Sequence, residues 1–259
     1  MRLTRSTPLL LIILFLAACG ALREPEAPSA PIEAIPLEIA TETVAPATAT
    51  TPPEPTTATE VEATAAVAEP AATPTEEPPA GELLLYRISS NESQVRFELS
   101  EDLRGVRTAV VGVTDQIAGE IAVNLDDLSS AQVGVIQINA RGLATDNNFR
   151  NRAIHNEILQ TGAFEFITFT PTAVNGLPSS AAGEEVSFTI DGDLTIRNIT
   201  HPVTFAVTAT AVAPDRLAGT ATATVNRADF DLRIPSVPSV ANVDEQVQLT
   251  IEFVAGAAS

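Results

Sequence analysis

Residues 186–196 read VSFTIDGDLTI, and this stretch shows the strand pattern of the protein most clearly. Every second residue from Val186 to Ile196 is apolar or glycine, and the residues between them are serine, threonine or aspartate. Successive side chains of a β-strand point to opposite faces, so the alternation predicts a strand with one buried and one hydrated face.

The same alternation recurs along the chain from Leu83 onward. Further runs occupy residues 95–99, 117–123, 164–169, 203–207, 220–225 and 247–253, and turn signals stand at Asn175-Gly176, 181–183 and Pro214-Asp215. Because most of these strands have one hydrated face, we expect an antiparallel sheet. Closing the sheet into a barrel would remove its edges, and a two-sheet sandwich is the competing architecture.

One helical segment interrupts the strands, at residues 146–160. Thr145-Asp146 offers a cap at its start, and apolar residues follow at mixed spacings of three and four, namely Phe149, Ala153, Ile154, Ile158 and Leu159. We therefore expect an all-β domain, residues 81–259, with one short helix.

The N-terminus has the layout of a secretory signal. Arg2 and Arg5 precede an eight-residue apolar run, Leu9–Leu16, which is far shorter than the ~20 residues that span a bilayer. The run ends in Leu16-Ala17-Ala18-Cys19, which resembles a bacterial lipobox. The resemblance implies a signal peptide over residues 1–18, a lipid on Cys19, and anchoring to the extracytoplasmic face of an envelope membrane. An ordinary secretion signal with a chance cysteine is the alternative.

Residues 19–80 differ sharply from the rest of the chain. From residue 20 to 80 the chain is mostly Ala, Thr, Pro and Glu, holds 12 of the 19 prolines, and has no aromatic residue. Such a segment buries too little apolar surface to offset the entropy of ordering, so we expect a disordered, extended tether. A plain spacer is favoured over a specific binding segment.

Charge and cysteine content exclude several function classes. The formal net charge of −19 argues against nucleic acid as a partner, and anionic lipid would repel the chain. A single cysteine excludes an internal disulfide, so stability must come from a packed core.

Residues 190–203, IDGDLTIRNITHPV, resemble the G-D-L-T…T-x-P-V signature of the YceI-like polyisoprenoid-binding family. Three other stretches resemble further family landmarks in the same order, namely Tyr86-Arg87-Ile88 before it, Arg150-Asn151-Arg152 with residues 164–169, and residues 226–230 after it. The resemblance covers residues 83–254. It implies a lipocalin-like antiparallel β-barrel of about eight strands whose apolar pocket holds a polyisoprenoid chain. An eight-stranded barrel is wide enough for one small ligand.

The chain departs from the family pattern at three positions. Ala153 stands where the family has a histidine, with His155 two residues on; Asn198 replaces a glycine and Glu165 a proline. Because the family histidine could contact a ligand headgroup, its replacement by Ala153 leaves the identity of the headgroup undetermined.

Apolar residues on the predicted inward faces are the candidate pocket residues: Phe97, Ile121, Phe166, Phe188, Ile190, Leu194, Phe205, Ala223, Leu249 and Ile251. Small residues at Gly119, Gly192, Ala221 and Ala223 favour a cavity over a filled interior, because small inward side chains leave room. Arg150 and Arg152 are the candidates for binding a ligand headgroup, since one guanidinium group can donate two parallel hydrogen bonds to the oxygen atoms of a phosphate or similar group. The alternative is a solvated helix face on which Arg150 pairs with Asp146.

Nothing in the sequence predicts catalysis or a metal site. His155 and His201 lack the spacing of a zinc site. For Asp191 and Asp193, which alternate on the polar face of one strand, hydrogen bonding within a turn is favoured over a role as a catalytic pair. We therefore expect a non-enzymatic protein that has no cofactor apart from a bound isoprenoid. The alternative is a structural or interaction module on the cell surface, with a dry barrel and displayed loops such as 234–238. The sequence specifies neither the isoprenoid nor the oligomeric state.

Overall fold

The computed structural model describes residues 23–39, 83–180 and 184–258. The predicted signal peptide, Cys19, most of the predicted linker and the 181–183 turn lie outside the described residues. Within them the protein is almost entirely β-structure, as the alternation predicts.

Thirteen strands form one antiparallel sheet in the described part of the chain. They are β1 Leu84–Ile88, β2 Gln94–Leu103, β3 Val106–Thr114, β4 Ile117–Ala118, β5 Glu120–Val123, β6 Gln132–Val133, β7 Ile136–Asn139, β8 Phe166–Asn175, β9 Val186–Ile196, β10 Ile199–Ala213, β11 Arg216–Asn226, β12 Val240–Ala241 and β13 Gln246–Ala257. Strand β9 coincides with the 186–196 run, whereas β3, β6, β7 and β12 lie outside the runs predicted from the alternation. Strand β1 was indicated only by the family resemblance of Tyr86-Arg87-Ile88.

The sheet curls into a half-barrel, because its strands pair one after another around a common interior. Strands β7, β8, β9, β10, β11 and β13 pair in that order, and β13 then pairs with both β1 and β2. Strand β1 pairs with β5, and β4 pairs with β7, so the curl closes on itself at that end. Counting β1/β2, β3–β5, β6/β7 and β12/β13 as interrupted single strands gives eight, the number that the family resemblance implies.

The other end of the curl is more open, and a short helix lies there. Strand β3 pairs with β2 along its length, but on its other edge Val113 forms only a single bridge, to Ala144. Helix α1, Asn148–Ala153, follows and continues as a π-helical turn, Ile154–Ile158. The predicted cap was wrong by one residue, because the side chain of Asn147 accepts the first helical N–H groups, from Phe149 and Arg150.

Aromatic rings lie against glycines of neighbouring strands at three places in the wall. Phe97 covers Gly112, Phe253 covers Gly219, and Phe169 covers Gly192; a methyl group added at Gly192 would lie 2.5 Å from the Phe169 ring. The sequence argument that Gly192 leaves empty space was therefore wrong. Its missing side chain is filled by Phe169, and Gly119 is filled in the same way by Ile136. The glycines let large rings lie flat along the wall.

Residues 23–39, which we call the strap, lie extended against the domain. Arg152 forms an ion pair with Glu24 at 3.0 Å, and Arg141 forms one with Glu26 at 3.0 Å. Farther along, Glu165 accepts the N–H of Ser29 at 2.8 Å. Residues 23–39, part of the tether expected over residues 20–80, thus contact the domain.

The far end of the strap is held by a second buried carboxylate. Glu120 accepts the N–H of Leu37 at 2.7 Å and the Arg87 guanidinium at 2.7 Å, and Leu37 lies over Gly134. Half of the eight Ile, Leu and Val residues between 20 and 80 fall within 32–39. This local enrichment in apolar residues is a sequence signal for contact with the domain, and the prediction of a plain spacer did not use it.

The strap hydrogen bonds shift the pKa of both carboxylates. Burial alone raises the pKa of Glu120 and of Glu165, but the hydrogen bonds from Leu37 and Arg87 to Glu120, and from Ser29 and Asn139 to Glu165, outweigh it. Both pKa values therefore lie below the ordinary 4.5. The ionised carboxylates favour docking above that pH, and docking weakens as the pH falls through the lowered values.

We predict that the two attachment points can be released separately. In Glu165→Ala the amide hydrogen of Ser29 should exchange faster with solvent while that of Leu37 keeps its protection, and Glu120→Ala should do the reverse. Residue-resolved hydrogen exchange measures both amides in each variant, so each variant is the control for the other. Unprotected amides in the wild type would show that the strap is not docked.

Candidate functional site

The interior of the half-barrel contains a large apolar cavity, which we call cavity 1. Its volume is about 1110 Å³, at the upper end of the range of small-molecule sites. Side chains of β2, β8, β9, β10 and β13 line it, including Phe97, Phe169, Leu194, Phe205, Leu249 and Ile251. Its mouth is formed by the β2–β3 turn, helix α1 and the 232–240 segment.

A second apolar cavity, cavity 2, lies farther along the same strands and has a volume of about 620 Å³. On β13, Val247, Leu249 and Ile251 line cavity 1, whereas Ile251 and Phe253 line cavity 2. Among the residues that the structure describes, only Phe169, Phe205 and Ile251 line both cavities. The Phe169 and Phe205 rings meet edge to face, with centroids 4.9 Å apart, so one aromatic pair separates the two chambers.

Eight of the ten predicted pocket residues line a cavity. Those in cavity 1 only are Phe97, Leu194 and Leu249; those in cavity 2 only are Ile121, Phe188 and Ile190; Phe205 and Ile251 line both. The sequence missed Phe169, although it lies in the recognised 164–169 run.

The two remaining candidates lie elsewhere. Phe166 is exposed, because on β8 it is Ile167 and Phe169 that line cavity 1. The run 164–169 does not alternate, so the sequence could not fix which face is inward. Ala223 is buried but lines neither cavity; on β11 it lies between Ala221, in cavity 2, and Val225, in cavity 1.

Both arginines predicted to bind a ligand headgroup form ion pairs with carboxylates of the protein. Arg150 lines the mouth of cavity 1, where it pairs with the buried Glu101 at 2.9 Å and with Asp146 at 2.6 Å. Arg152 does not line either cavity, and it pairs with Glu24 of the strap.

One cation at the mouth, Arg104, was not among the site residues predicted from the sequence. Arg104 lines the mouth in the β2–β3 turn and is exposed. It takes part in none of the ion pairs found among residues 23–39, 83–180 and 184–258. Arg104 and Gly105 both have positive φ, 53° and 81°, which fixes a tight hairpin and presents the side chain at the mouth.

Neither histidine faces a cavity. His155 is 3% exposed; its Nε2–H donates to the Leu143 carbonyl at 2.7 Å, and Nδ1 accepts the Thr161 hydroxyl at 3.3 Å. Burial lowers the pKa of His155 more than the Leu143 hydrogen bond raises it, so the imidazole is neutral. His201 packs edge to face on Phe230, with ring centroids 5.3 Å apart.

The predicted acidic pair is structural. Asp191 accepts hydrogen bonds from Thr204 on β10 and from Asn175, at the end of β8, at 2.9 Å, whereas Asp193 is exposed on the same strand. Over the described residues, no three His, Cys, Asp or Glu side chains are grouped as metal ligands would be. Within the same part of the chain, none of the helices has the length and apolar character that crossing a membrane requires.

The sequence profile of the YceI-like domain matches residues 86–255, which is more than half of the chain. The chain belongs to the YceI-like family. The boundaries agree with the stretch, residues 83–254, over which the motifs were recognised. No curated protein sequence matches the chain.

Two solved structures share the YceI-like fold with this chain. A polyisoprenoid binding domain from Saccharophagus degradans, implicated in plant cell wall breakdown, is 14% identical, and the match covers 68% of this chain and all of that one, with a TM-score of 0.53. BcnA from Burkholderia cenocepacia is 16% identical over 64% of this chain and 98% of its own, with a TM-score of 0.51.

The YceI-like family consists of binding proteins rather than enzymes, in agreement with the prediction of a non-catalytic protein. At this level of identity the neighbours establish the fold. The cavities of this chain are therefore the basis for assigning its own ligand.

We predict that burial of neutral His155 makes the protein less stable as the pH falls below the ordinary pKa of histidine. The unfolded chain takes up a proton at about pH 6.5, and the folded protein does so only at lower pH, so the free energy of unfolding decreases as the pH falls below about 6.5. His155→Gln should show a smaller decrease of Tm between pH 7.5 and 5.0 than the wild type. His201→Gln controls for loss of a histidine. Equal decreases in His155→Gln and wild type would contradict the assignment.

Proposed function

We propose that this YceI-like domain binds a polyisoprenoid, or a similarly long apolar lipid, without catalysis. The observation that carries the proposal is the pair of apolar cavities laid end to end along the strands. Burying each CH₂ group of a ligand contributes about 0.8 kcal/mol, so a long chain gains affinity along its whole length without any specific polar contact.

The elongated interior favours a chain over a compact ligand. Cavity 1 opens at a mouth, and cavity 2 continues it beyond the Phe169–Phe205 pair. Rotation of either ring would let one chain occupy both cavities, because in the described part of the chain these two rings and Ile251 alone line both.

The same cavities disfavour the alternative of a dry, packed display module. Packed protein interiors contain few voids larger than a water molecule. An interior with spaces of about 1110 and 620 Å³ departs strongly from that pattern. Empty volume on this scale costs stability unless a ligand recovers the lost contacts.

We infer that the headgroup stays at the mouth, near Arg104. Arg150 is already neutralised by Glu101 and Asp146, and Arg152 is engaged by the strap. A single exposed guanidinium suits a phosphate or quinone oxygen at the water boundary.

We also propose that the protein is exported and anchored in the cell envelope through a lipid on Cys19. The support is the sequence of residues 1–20, with its basic start, short apolar run and Leu-Ala-Ala-Cys ending. A membrane-attached domain would be placed beside the pool of its proposed ligand.

Substitutions on β11 can separate cavity filling from core damage. We expect Val225→Phe, in cavity 1, to abolish isoprenoid retention while Tm stays near the wild-type value. Ala223→Phe is the matched control, because this residue lines neither cavity. Overpacking there should cost about 1–3 kcal/mol, or several degrees of Tm. Organic extraction of each purified variant followed by mass spectrometry measures the retained lipid.

Two outcomes would count against lipid binding. One is a clean extract from wild-type protein purified from several expression hosts. The other is a decrease of Tm in Val225→Phe as large as in Ala223→Phe, since a substitution that fills real space should not strain the wall.

The anchor is tested independently of the ligand. We predict that Cys19→Ala abolishes incorporation of radiolabelled fatty acid and moves the protein out of the membrane fraction, because two or more acyl chains are needed for stable attachment. Equal labelling of the mutant and the wild type would disprove the lipobox assignment without affecting the cavity proposal.

A further inference from the structure

Exposed apolar side chains surround the mouth of cavity 1. Phe149 of helix α1 is 78% exposed, Val106 of β3 is 65% exposed, and Val237 of the 232–240 segment is 41% exposed. All three line the cavity and come from three separate elements. We call them the rim. Large exposed apolar groups clustered around an opening are typical of an interaction surface rather than of plain solvated surface.

The strap brings the N-terminal part of the chain to this rim. The side-chain amide of Asn156 donates to the Arg23 carbonyl at 2.7 Å, and Arg152 holds Glu24 at 3.0 Å. The same Arg152 guanidinium lies over the Phe149 ring, 5.9 Å from its centroid. One side chain therefore joins the first described residues of the strap to the most exposed residue of the rim.

The remaining distance to the anchor is short. Cys19 precedes Arg23 by four residues, and an extended chain spans at most ~3.6 Å per residue, or about 14 Å here. A free tether of residues 20–80 would allow any orientation over a far larger distance. With the strap docked, the residue proposed to carry the lipid must lie close to the mouth.

We infer that the rim docks on the lipid leaflet that holds the Cys19 anchor, so that the mouth of cavity 1 opens onto the bilayer. This inference rests on the proposed function, and it adds the surface through which the ligand enters. An apolar chain would then pass from the leaflet into the cavity without crossing water. Docking uses apolar contact rather than charge, since the domain and strap are acidic and anionic headgroups would repel them.

The absence of tryptophan from the sequence makes a direct test available. Phe149→Trp places a single tryptophan on the rim. Val212→Trp is the matched control, since Val212 is 60% exposed and lines the far cavity, cavity 2. The full-length, membrane-purified protein is reconstituted into phosphatidylcholine vesicles that contain acyl-brominated lipid, which quenches tryptophan fluorescence on contact.

We expect several-fold stronger quenching and a blue-shifted emission for Phe149→Trp compared with Val212→Trp. Equal quenching, or stronger quenching of Val212→Trp, would overturn the inferred orientation. An unquenched Phe149→Trp in a protein that sediments as a dimer would assign the rim to a second copy and also overturn it.

Lipid extraction of the same two variants separates this inference from the proposed function. Retained isoprenoid with an unquenched Phe149→Trp contradicts membrane docking and leaves ligand binding in place. Loss of isoprenoid from the wild type contradicts ligand binding whatever the fluorescence shows.

Discussion

The open interior of the domain depends on aromatic rings that pack against glycines of adjacent strands. Phe97 packs on Gly112, Phe169 on Gly192 and Phe253 on Gly219, so each ring occupies the space that a side chain at the glycine would fill. A side chain at any of these glycines would push a ring inward and reduce the cavities. The same contacts therefore keep the interior open, and the contact at Gly192 holds Phe169 where it meets Phe205 and divides that interior.

A departure from the family pattern has a structural counterpart at Glu165. Where the YceI-like pattern resembled by this sequence has a proline, the glutamate accepts hydrogen bonds from Ser29 of the strap and from Asn139 of β7, and it pairs with Arg141. A proline could form none of these. The glutamate ties a segment that lies far from the domain in sequence onto the outer surface of the domain.

The distribution of charge in the site explains why affinity should come from the apolar chain. The arginines of the α1 region are matched by carboxylates, and the buried pair of Arg150 with Glu101 satisfies a charge that would otherwise be costly at a cavity wall. For the proposed ligand, the interior offers apolar contact along its length. Arg104, which takes part in none of the ion pairs among the described residues, lies at the mouth. This arrangement suits lipids that share a long tail and differ in headgroup.

The sequence alone determined the strand pattern, the antiparallel sheet and the family, because alternation of period two and the 190–203 motif are local features. Eight of the ten residues predicted to line the pocket do line a cavity, since alternation fixes the inward face wherever it is regular. The prediction failed at Phe166, because residues 164–169 do not alternate regularly between apolar and polar. It also failed at Gly192, because the space beside this glycine is filled by a ring from another strand. The division into two cavities, the docking of the strap and the position of Arg104 were decided only by tertiary structure. Each depends on contacts between residues distant in sequence, and no local pattern carries that information.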